Sequence, residues 1–220
     1  MDGLIVYTAN FGGRDVVRPE SFHQIFPNIR YVYFTDRKPE EKNLNEREVV
    51  IEPPKFSSPN KSAKWYKMHP HILFPNKNTL WLDSNYGCSK NEASPLEFLK
   101  TFEHMLLWQH YRGCAYKEAI ACEHLSDDPV KLKLQMEHYR SEGFPDEFGL
   151  WKGGLIFRKP TKIIEKFNEL WWNEICNWQI RDQVSLAYVI WKHNIPFKDI
   201  HFETKFSVGR RGIHNVHAPR

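Results

Sequence analysis

The tightest grouping of chemically capable side chains is Leu80-Trp-Leu-Asp-Ser-Asn85, where two apolar strand residues lead into an acid. Asp83 and Asn85 stand two apart and can point to one side of an extended segment. A carboxylate and an amide carbonyl are hard oxygen ligands. With waters and the phosphates of a ligand they could complete an octahedral Mg2+ or Mn2+ site. The competing reading is a plain strand-to-turn junction, because Asp, Ser and Asn all favour turns. Alone, the junction is the simpler account; the metal reading gains from the features around it.

Thr8-Ala-Asn-Phe-Gly-Gly-Arg14 also follows a strand. Gly12 and Gly13 let backbone come close to a ligand, and Arg14 could meet a phosphate or carboxylate through two donors. The stretch is neither G-x-G-x-x-G nor a Walker loop, so an ordinary tight turn competes. Asp36 closes the strand Tyr-Phe-Thr-Asp, where an acid could accept hydrogen bonds from a base or ribose, or merely form a turn. Lys64 and Lys67 share one helix face at i, i+3 and could reach phosphates; a solvated basic face is the alternative.

In Gly149-Leu-Trp-Lys-Gly-Gly-Leu-Ile-Phe-Arg158, the pair Gly153-Gly154 could bring backbone to a flat polar ligand such as a sugar beside Trp151, or mark a β-bulge. Asp182 and Gln183 open a strongly helical stretch, where Asp182 is either an N-cap or a group presented to a cleft. Arg210, Arg211, His214 and His217 in the tail suit an anionic phosphate, and one His could be a further metal ligand. A frayed basic tail is the plainer account.

The elements that must position these residues are legible as patterns. Strands are expected at residues 3–8, 31–36, 48–52, 79–83 and 105–108. Helices are expected at 62–73 (capped by Ser62 and bent or broken at Pro70), 95–102, 116–124, 129–140, 163–176 and 183–193. Residues 149–158 are apolar but interrupted by the glycine pair. Strands alternate with helices early and helices gather late, which gives an α/β class with a mostly parallel central sheet. In such sheets ligands bind beyond the carboxyl ends of the strands, and the Gly12 turn, Asp36 and Asp83 all fall there.

The chain's 220 residues suit one large domain or two cramped ones, and with the charged stretch 39–48 read as a loop rather than a linker one domain is expected; 41% hydrophobic with 26% charged residues excludes a disordered chain. No apolar run approaches a membrane span; the longest, such as 186–191, are core-sized. Met1-Asp2-Gly3 lacks a basic region and a cleavage site, so no signal peptide and a cytoplasmic location are expected. Cys88, Cys114, Cys122 and Cys176 form no C-x-x-C pair, which excludes zinc-ribbon and thioredoxin readings and leaves reduced, mostly buried thiols. The net charge of +4 is mild, and no nucleic-acid motif accompanies it.

Taken in order, Thr-Ala-Asn-Phe-Gly-Gly-Arg-Asp15, Tyr-Phe-Thr-Asp36, Ser-Ala-Lys-Trp-Tyr-Lys-Met-His-Pro70 and Leu-Trp-Leu-Asp-Ser-Asn85 resemble one family. It is the glycosyltransferase-like domain family of plant mucilage and turgor proteins, with bacterial members. His110-Tyr-Arg-Gly-Cys-Ala-Tyr-Lys-Glu-Ala119 resembles its H-P-x-R-x-C-x-Y-x-E-A element, with Tyr111 at the usual proline. Gly149–Arg158, Trp171-Trp-Asn-Glu-Ile175 and Arg181-Asp-Gln-Val-Ser-Leu-Ala-Tyr188 extend the match over nearly the whole chain.

The resemblance implies a single GT-A-type domain: a Rossmann-like nucleotide-sugar-binding sheet flanked by helices. Residues 1–90 would form the donor half and 91–220 the acceptor and catalytic half. Through a distant similarity to the glycogenin and galactinol-synthase group, Asp83 and Asn85 match a metal motif, with Asn85 replacing its second acid. Gly153 and Gly154 match a glycine strand, and Asp182-Gln183 a catalytic pair. His214 or His217 would close the metal site. The implied donor contacts are Thr8, Ala9, Asn10, Phe11, Gly12, Arg14, Asp36, Lys64, Lys67, Asp83, Ser84, Gly153, Gly154, Arg210 and Arg211. The implied acceptor contacts are His110, Arg112 and Trp151. The expected reaction moves a hexose from a nucleotide diphosphate sugar, UDP favoured, to a hydroxyl such as a glycan's, with Mn2+ or Mg2+ and retention of configuration. A metal-assisted hydrolase and a non-catalytic sugar or nucleotide binding module are the alternatives. No nucleic-acid partner and no membrane span are expected, which leaves peripheral membrane association open.

Overall fold

Leu4, Val6, Tyr31, Leu80, Leu82, Leu106, Trp108, Leu155 and Phe157 are buried in one core, while Ile5, Tyr7, Ala9, Val32, Phe34, Trp81, Met105, Leu107 and Ile156 are buried in another. Odd and even positions thus face opposite sides, which a sheet covered on both faces requires. The computed structural model describes residues 3–13, 28–38, 48–84, 94–126, 128–178 and 181–200. Its strands are β1 (Leu4–Asn10), β2 (Arg30–Thr35), β3 (Glu48–Ile51), β4 (Asn78–Leu82), β5 (Met105–Gln109), β6 (Trp151–Arg158) and β7 (Lys198–Ile200). They form one sheet in the order β3-β2-β1-β4-β6-β5-β7.

The pairs β1–β2, β2–β3, β1–β4 and β5–β7 are parallel, and β6 runs antiparallel to both β4 and β5. The start of β6 therefore lies on the same edge as the carboxyl ends of the other strands. The interruption expected at Gly153-Gly154 is an irregularity within a continuous strand. Leu107 pairs with Ile156 but Gln109 pairs with Trp151, so β6 advances five residues while β5 advances two. Such an excess re-aims side chains across the pleat. It turns Gly153 toward the helix-covered face, and β7, three residues long, completes the edge beyond β5.

Among the described helices, α1 (Pro59–Met68) begins one turn before the expected Ser62, because Ser58 caps it by accepting the Lys61 N–H at 3.2 Å and Pro59 fits the first turn. Ser62 is instead buried and hydrogen-bonds the Phe56 and Ser58 backbone. Pro70 breaks the helix, opening the short α2 (Pro70–Leu73). Then follow α3 (Pro95–Phe98), α4 (Ala115–Ala121), α5 (Pro129–Ser141), α6 (Lys162–Asn177) and α7 (Asp182–Lys192).

Helix α7 is buried along most of its length, from Val184 to Ile190. Tyr188 on it stacks on Tyr139 of α5 with ring centroids 3.6 Å apart, and Tyr139 donates to Glu174 of α6 at 2.5 Å. Three helices are locked together there through the middle of α7. Cys114 and Cys122 are buried and Cys176 is exposed, all as free thiols; Cys88 lies outside the described residues. No helix among the described residues is long and apolar enough to cross a membrane.

Candidate active site

Four of the residues singled out by sequence meet at the carboxyl edge. Asp182, the first residue of α7, places its Oδ2 2.8 Å from Lys64 Nζ and in direct hydrogen bond with Lys67 Nζ. Lys67 Nζ also lies 3.5 Å from Asp83 Oδ1, which accepts the Trp81 indole N–H at 2.7 Å. Helix periodicity puts Lys64 and Lys67 on one face of α1, and that face meets α7 and β4. The Asp182 side chain caps nothing: Arg181 occupies the cap position, and no side-chain hydrogen bond is made there. The Asp182 carbonyl accepts from the Trp171 indole at 3.1 Å and from Ser185 Oγ at 3.1 Å, so its backbone is pinned as well.

Electrostatics follow from this burial. The Lys67 side chain is 1% exposed, Asp182 12%, Lys64 16% and Asp83 35%. Burial works against the Asp182 carboxylate, yet Lys64 and Lys67 outweigh it and hold its pKa well below the aspartate value. Burial also opposes the Lys67 ammonium, but Asp182 and Asp83 carry its pKa above the ordinary lysine value. For Lys64 burial prevails over Asp182, and its pKa is lowered. The two lysines therefore differ: Lys67 is a fixed structural cation, and Lys64 is the more accessible and more readily deprotonated one.

Behind them Arg158, 1% exposed, donates through Nη1 to the Lys67 carbonyl at 2.7 Å and to Tyr7 Oη at 3.1 Å. Tyr7 Oη donates to the same carbonyl at 3.0 Å, and burial pushes the phenol up to about 12. The Arg158 Nε and Nη2 atoms have no hydrogen-bond partner among the described residues. Arg158, Lys64 and Lys67 set three cations against the two carboxylates of Asp83 and Asp182, so the described cluster has a positive excess.

A second centre forms where β5 leaves the sheet. Glu118 of α4, with a side chain 6% exposed, accepts from Arg112 Nη1 at 2.6 Å and from Cys122 Sγ at 3.0 Å. Arg181 Nη2 lies 3.8 Å from Glu118 Oε1, the oxygen that Cys122 meets, and His110 Nδ1 3.9 Å from Oε2. Burial lowers the His110 pKa, with Glu118 opposing and Arg112 and Lys152 assisting. Sequence reading missed Glu118, Arg158 and Arg181 as contributors. The available signals were a charged residue inside the alanine-rich run 115–121 and a cation ending the apolar run of β6.

The Gly12 turn is shaped by the protein itself. The Gly12 N–H donates to both Asp36 oxygens at 3.0 Å, tying the end of β1 to the end of β2. Gly12 has φ +70°, and a Cβ there would lie 3.0 Å from the Pro59 ring, so the turn needs glycine for conformation and for room. Thr8, Ala9, Asn10 and Phe11 are buried, with Phe11 stacked on Tyr66 at 5.1 Å. Ser84 is buried beyond β4, and the Asp83 N–H donates to the Gly154 carbonyl at 2.9 Å.

A Cβ on Gly153 would sit 3.4 Å from both Asp182 Oδ2 and Lys67 Nζ. The Gln183 Nε2 is buried without a hydrogen-bond partner among the described residues. Trp151 is buried, with its ring 4.7 Å from Phe197 and 5.7 Å from Phe148; among the described residues the exposed aromatic at this edge is Tyr111. Arg14, Asn85, Arg210, Arg211, His214 and His217 lie outside the described residues. Among the described residues no group of three or more His, Cys, Asp or Glu could hold a metal ion. Asp83 remains a half-exposed hard-oxygen ligand at the carboxyl edge of the sheet, the donor chemistry a divalent cation takes.

Comparison with known proteins agrees with this architecture. The chain is 26% identical to the probable hexosyltransferase MUCI70 of Arabidopsis thaliana over 85% of its length and 37% of that protein's. It superposes on the apo structure of the bifunctional glycosyltransferase WbbM with a TM-score of 0.50 and 11% identity, covering 90% of this chain and 38% of that one. The chain thus spans under two-fifths of either relative, and the structural likeness bears out the GT-A-type fold. The model of the TOD1/MUCI70 glycosyltransferase-like domain matches residues 4–211. With nearly the whole chain matched on a fold that agrees, the protein belongs to the TOD1/MUCI70 glycosyltransferase-like domain family.

Proposed function

We propose that this domain moves a hexose from a nucleoside diphosphate sugar, UDP-sugars favoured, to a hydroxyl of a glycan or similar acceptor. The observation that carries the reading is the Asp182 carboxylate, kept ionised by Lys64 and Lys67 on the strand edge where Asp83 emerges. The relative named a probable hexosyltransferase points to the same chemistry. Breaking the bond to the anomeric carbon leaves negative charge on the diphosphate and positive charge on the sugar. Fixed charges in a poorly solvated cleft stabilise both more than water does.

In this scheme Lys64, the cation nearer solvent, faces the departing phosphates, and Lys67 holds Asp83 and Asp182 in place. Asp182 accepts sugar hydroxyls or faces the developing charge at the anomeric carbon, and Gln183 offers an amide N–H to a ligand oxygen. Residues 1–90 form the donor half and 91–220 the acceptor and catalytic half, with retention of configuration. Asp83, with Asn85 and one of His214 or His217, would hold Mn2+ or Mg2+, which when bound supplies charge neutralisation at the diphosphate.

The test is acceptor-dependent release of nucleotide from a panel of nucleotide-sugars. UDP should also raise the melting temperature more than UMP does, because a ligand that binds only the native state stabilises it. Asp83→Asn should remove most of any gain from added Mn2+. Equal shifts with both nucleotides, or none, would remove the donor site. Release at an undiminished rate without acceptor would make the protein a hydrolase.

A further inference from the structure

We propose that the basic centre organised by Glu118 recognises a negatively charged substituent, a carboxylate or a phosphate, on the acceptor glycan, which rests beside the ring of Tyr111. The inference rests on the glycosyltransferase reading and names the acceptor's class. Beyond β5 the chain makes a tight turn, with the Gly113 N–H donating to the His110 carbonyl at 3.0 Å and Gly113 at φ +61°. The turn holds Tyr111 71% exposed, with the Arg112 guanidinium 4.6 Å from its ring centroid. An outward aromatic beside a guanidinium offers a face for a sugar ring and charge for a substituent on it.

One carboxylate here serves two arginines. Glu118 is 6% exposed, whereas the side chains of Arg112 and Arg181 are 28% and 32% exposed. The anion is therefore at the back and the cations are at the front. A guanidinium has five N–H donors in a fork matched to carboxylate and phosphate oxygens. Arg112 donates to Glu118 through one of its nitrogens, Nη1. The residual charge is positive and faces solvent.

Position separates this centre from the donor. Asp83 directly follows β4, and the turn 110–113 follows β5, two strands away across β6. At ~4.8 Å per strand the separation is about 10 Å. Arg181 directly precedes Asp182, so a group held by it stays beside the reacting sugar. Helix α7 also begins there, and its amino end favours negative charge. A charged acceptor substituent is what fits between the two.

The experiment is calorimetric titration of the full chain with three trisaccharides of one backbone. One ends in a hexuronate, one in a hexose 6-phosphate, and one is the carboxyl-reduced neutral form. At least one anionic ligand should bind about tenfold tighter than the neutral one, and the advantage should shrink as salt is raised. Arg112→Gln and Arg181→Gln should each remove most of that advantage and leave UDP affinity unchanged. Tyr111→Ala, a truncation at a residue 71% exposed, should weaken all three glycans alike. The tighter of the two anionic ligands identifies the source of the charge.

Equal binding of all three glycans overturns the proposal, as does a preference insensitive to salt. So does a loss of UDP affinity in the arginine variants with the glycan preference intact. Because binding is read without turnover, failure of sugar transfer would strike the catalytic reading and leave this result standing.

Discussion

The two carboxylate centres of this protein are built alike and buried differently. Asp182 is held by two lysines, one of them sealed from solvent, while Glu118 is held by two arginines each about a third exposed. At Asp182 the sealed cation, Lys67, cannot turn to water if its partner is lost. At Glu118 both cations can. Removing one partner from a buried pair leaves an uncompensated charge in low dielectric, whereas an exposed partner is rehydrated. The closed centre should therefore report mutations as lost stability and rate, and the open one as lost recognition.

The largest effect is expected from Asp182→Asn. It leaves Lys64 and Lys67 facing a neutral amide and should cost about 3–5 kcal/mol. At ~2–4 °C per kcal/mol for a chain of this size, the melting temperature should fall by roughly 6–20 °C. Sugar transfer should drop about a hundredfold or more, the scale of a lost transition-state contact. The acid limb gives a second readout. Burial opposes ionisation of Asp182, but the lysines hold its native pKa well below the aspartate value; unfolded, the group titrates near ~3.9. Its stabilisation is thus complete above that value and is lost as pH falls toward the native pKa, since the unfolded chain takes the proton first. Urea midpoints should start to fall near pH ~4 in the parent, and more shallowly in Asp182→Asn. A variant that melts and acid-unfolds like the parent would show that the lysines are indifferent to this carboxylate.

Much of the frame behind this contrast is legible in the residues. Alternating apolar strands that end at Asp36 and Asp83 fix the binding edge, and the periodicity of Val184, Ala187, Tyr188 and Trp191 predicts the helix carrying Asp182. Pairing across the chain is harder to read. The i, i+3 spacing of Lys64 and Lys67 shows a shared face but not what that face meets, and the partner of Lys67 is 115 residues away. Glu118 sits in an ordinary helical run, and only folding brings Arg181 to it. The Gly153-Gly154 pair reads equally as a break or a bulge until β5 supplies a register against which five residues oppose two. The cap of α1 was readable from Pro59, whose ring suits a first turn, but Ser62 carried the same cap chemistry one turn on.

A smaller effect on stability is expected at the open centre. Glu118→Gln keeps the size of the side chain and removes its charge, so Arg112 and Arg181 lose an ionic partner but reach water. The cost should be about 1–3 kcal/mol, below that of Asp182→Asn, with UDP affinity preserved. Affinity for an anionic glycan should rise or hold, because the competing carboxylate is gone. A melting temperature lower than that of Asp182→Asn would reverse the contrast and make Glu118 the main structural anchor.

The smallest stability change should come from Gly153→Ala, and it sharpens the comparison most. The added methyl would lie 3.4 Å from Asp182 Oδ2 and Lys67 Nζ and 3.6 Å from Asp182 Cγ, ordinary contact distances that require no shift. Alanine also loses less backbone entropy in a strand than glycine does, worth ~0.5–1 kcal/mol. The melting temperature should therefore stay within a few degrees of the parent, about 2–4 °C per kcal/mol. Two accounts of the glycine then separate. If it only lets β6 pass close to the ion pair, transfer is unchanged. If the sugar approaches Asp182 across this bare backbone, the methyl takes its place. On that account the rate should fall by about tenfold, the ~1.4 kcal/mol scale of one displaced contact. We expect the second outcome, because the register irregularity in β6 turns this position onto the charged pair. A Gly153→Ala protein that melts like the parent and transfers at its rate would remove the glycine from the site and leave Asp182 open only from the Lys64 side.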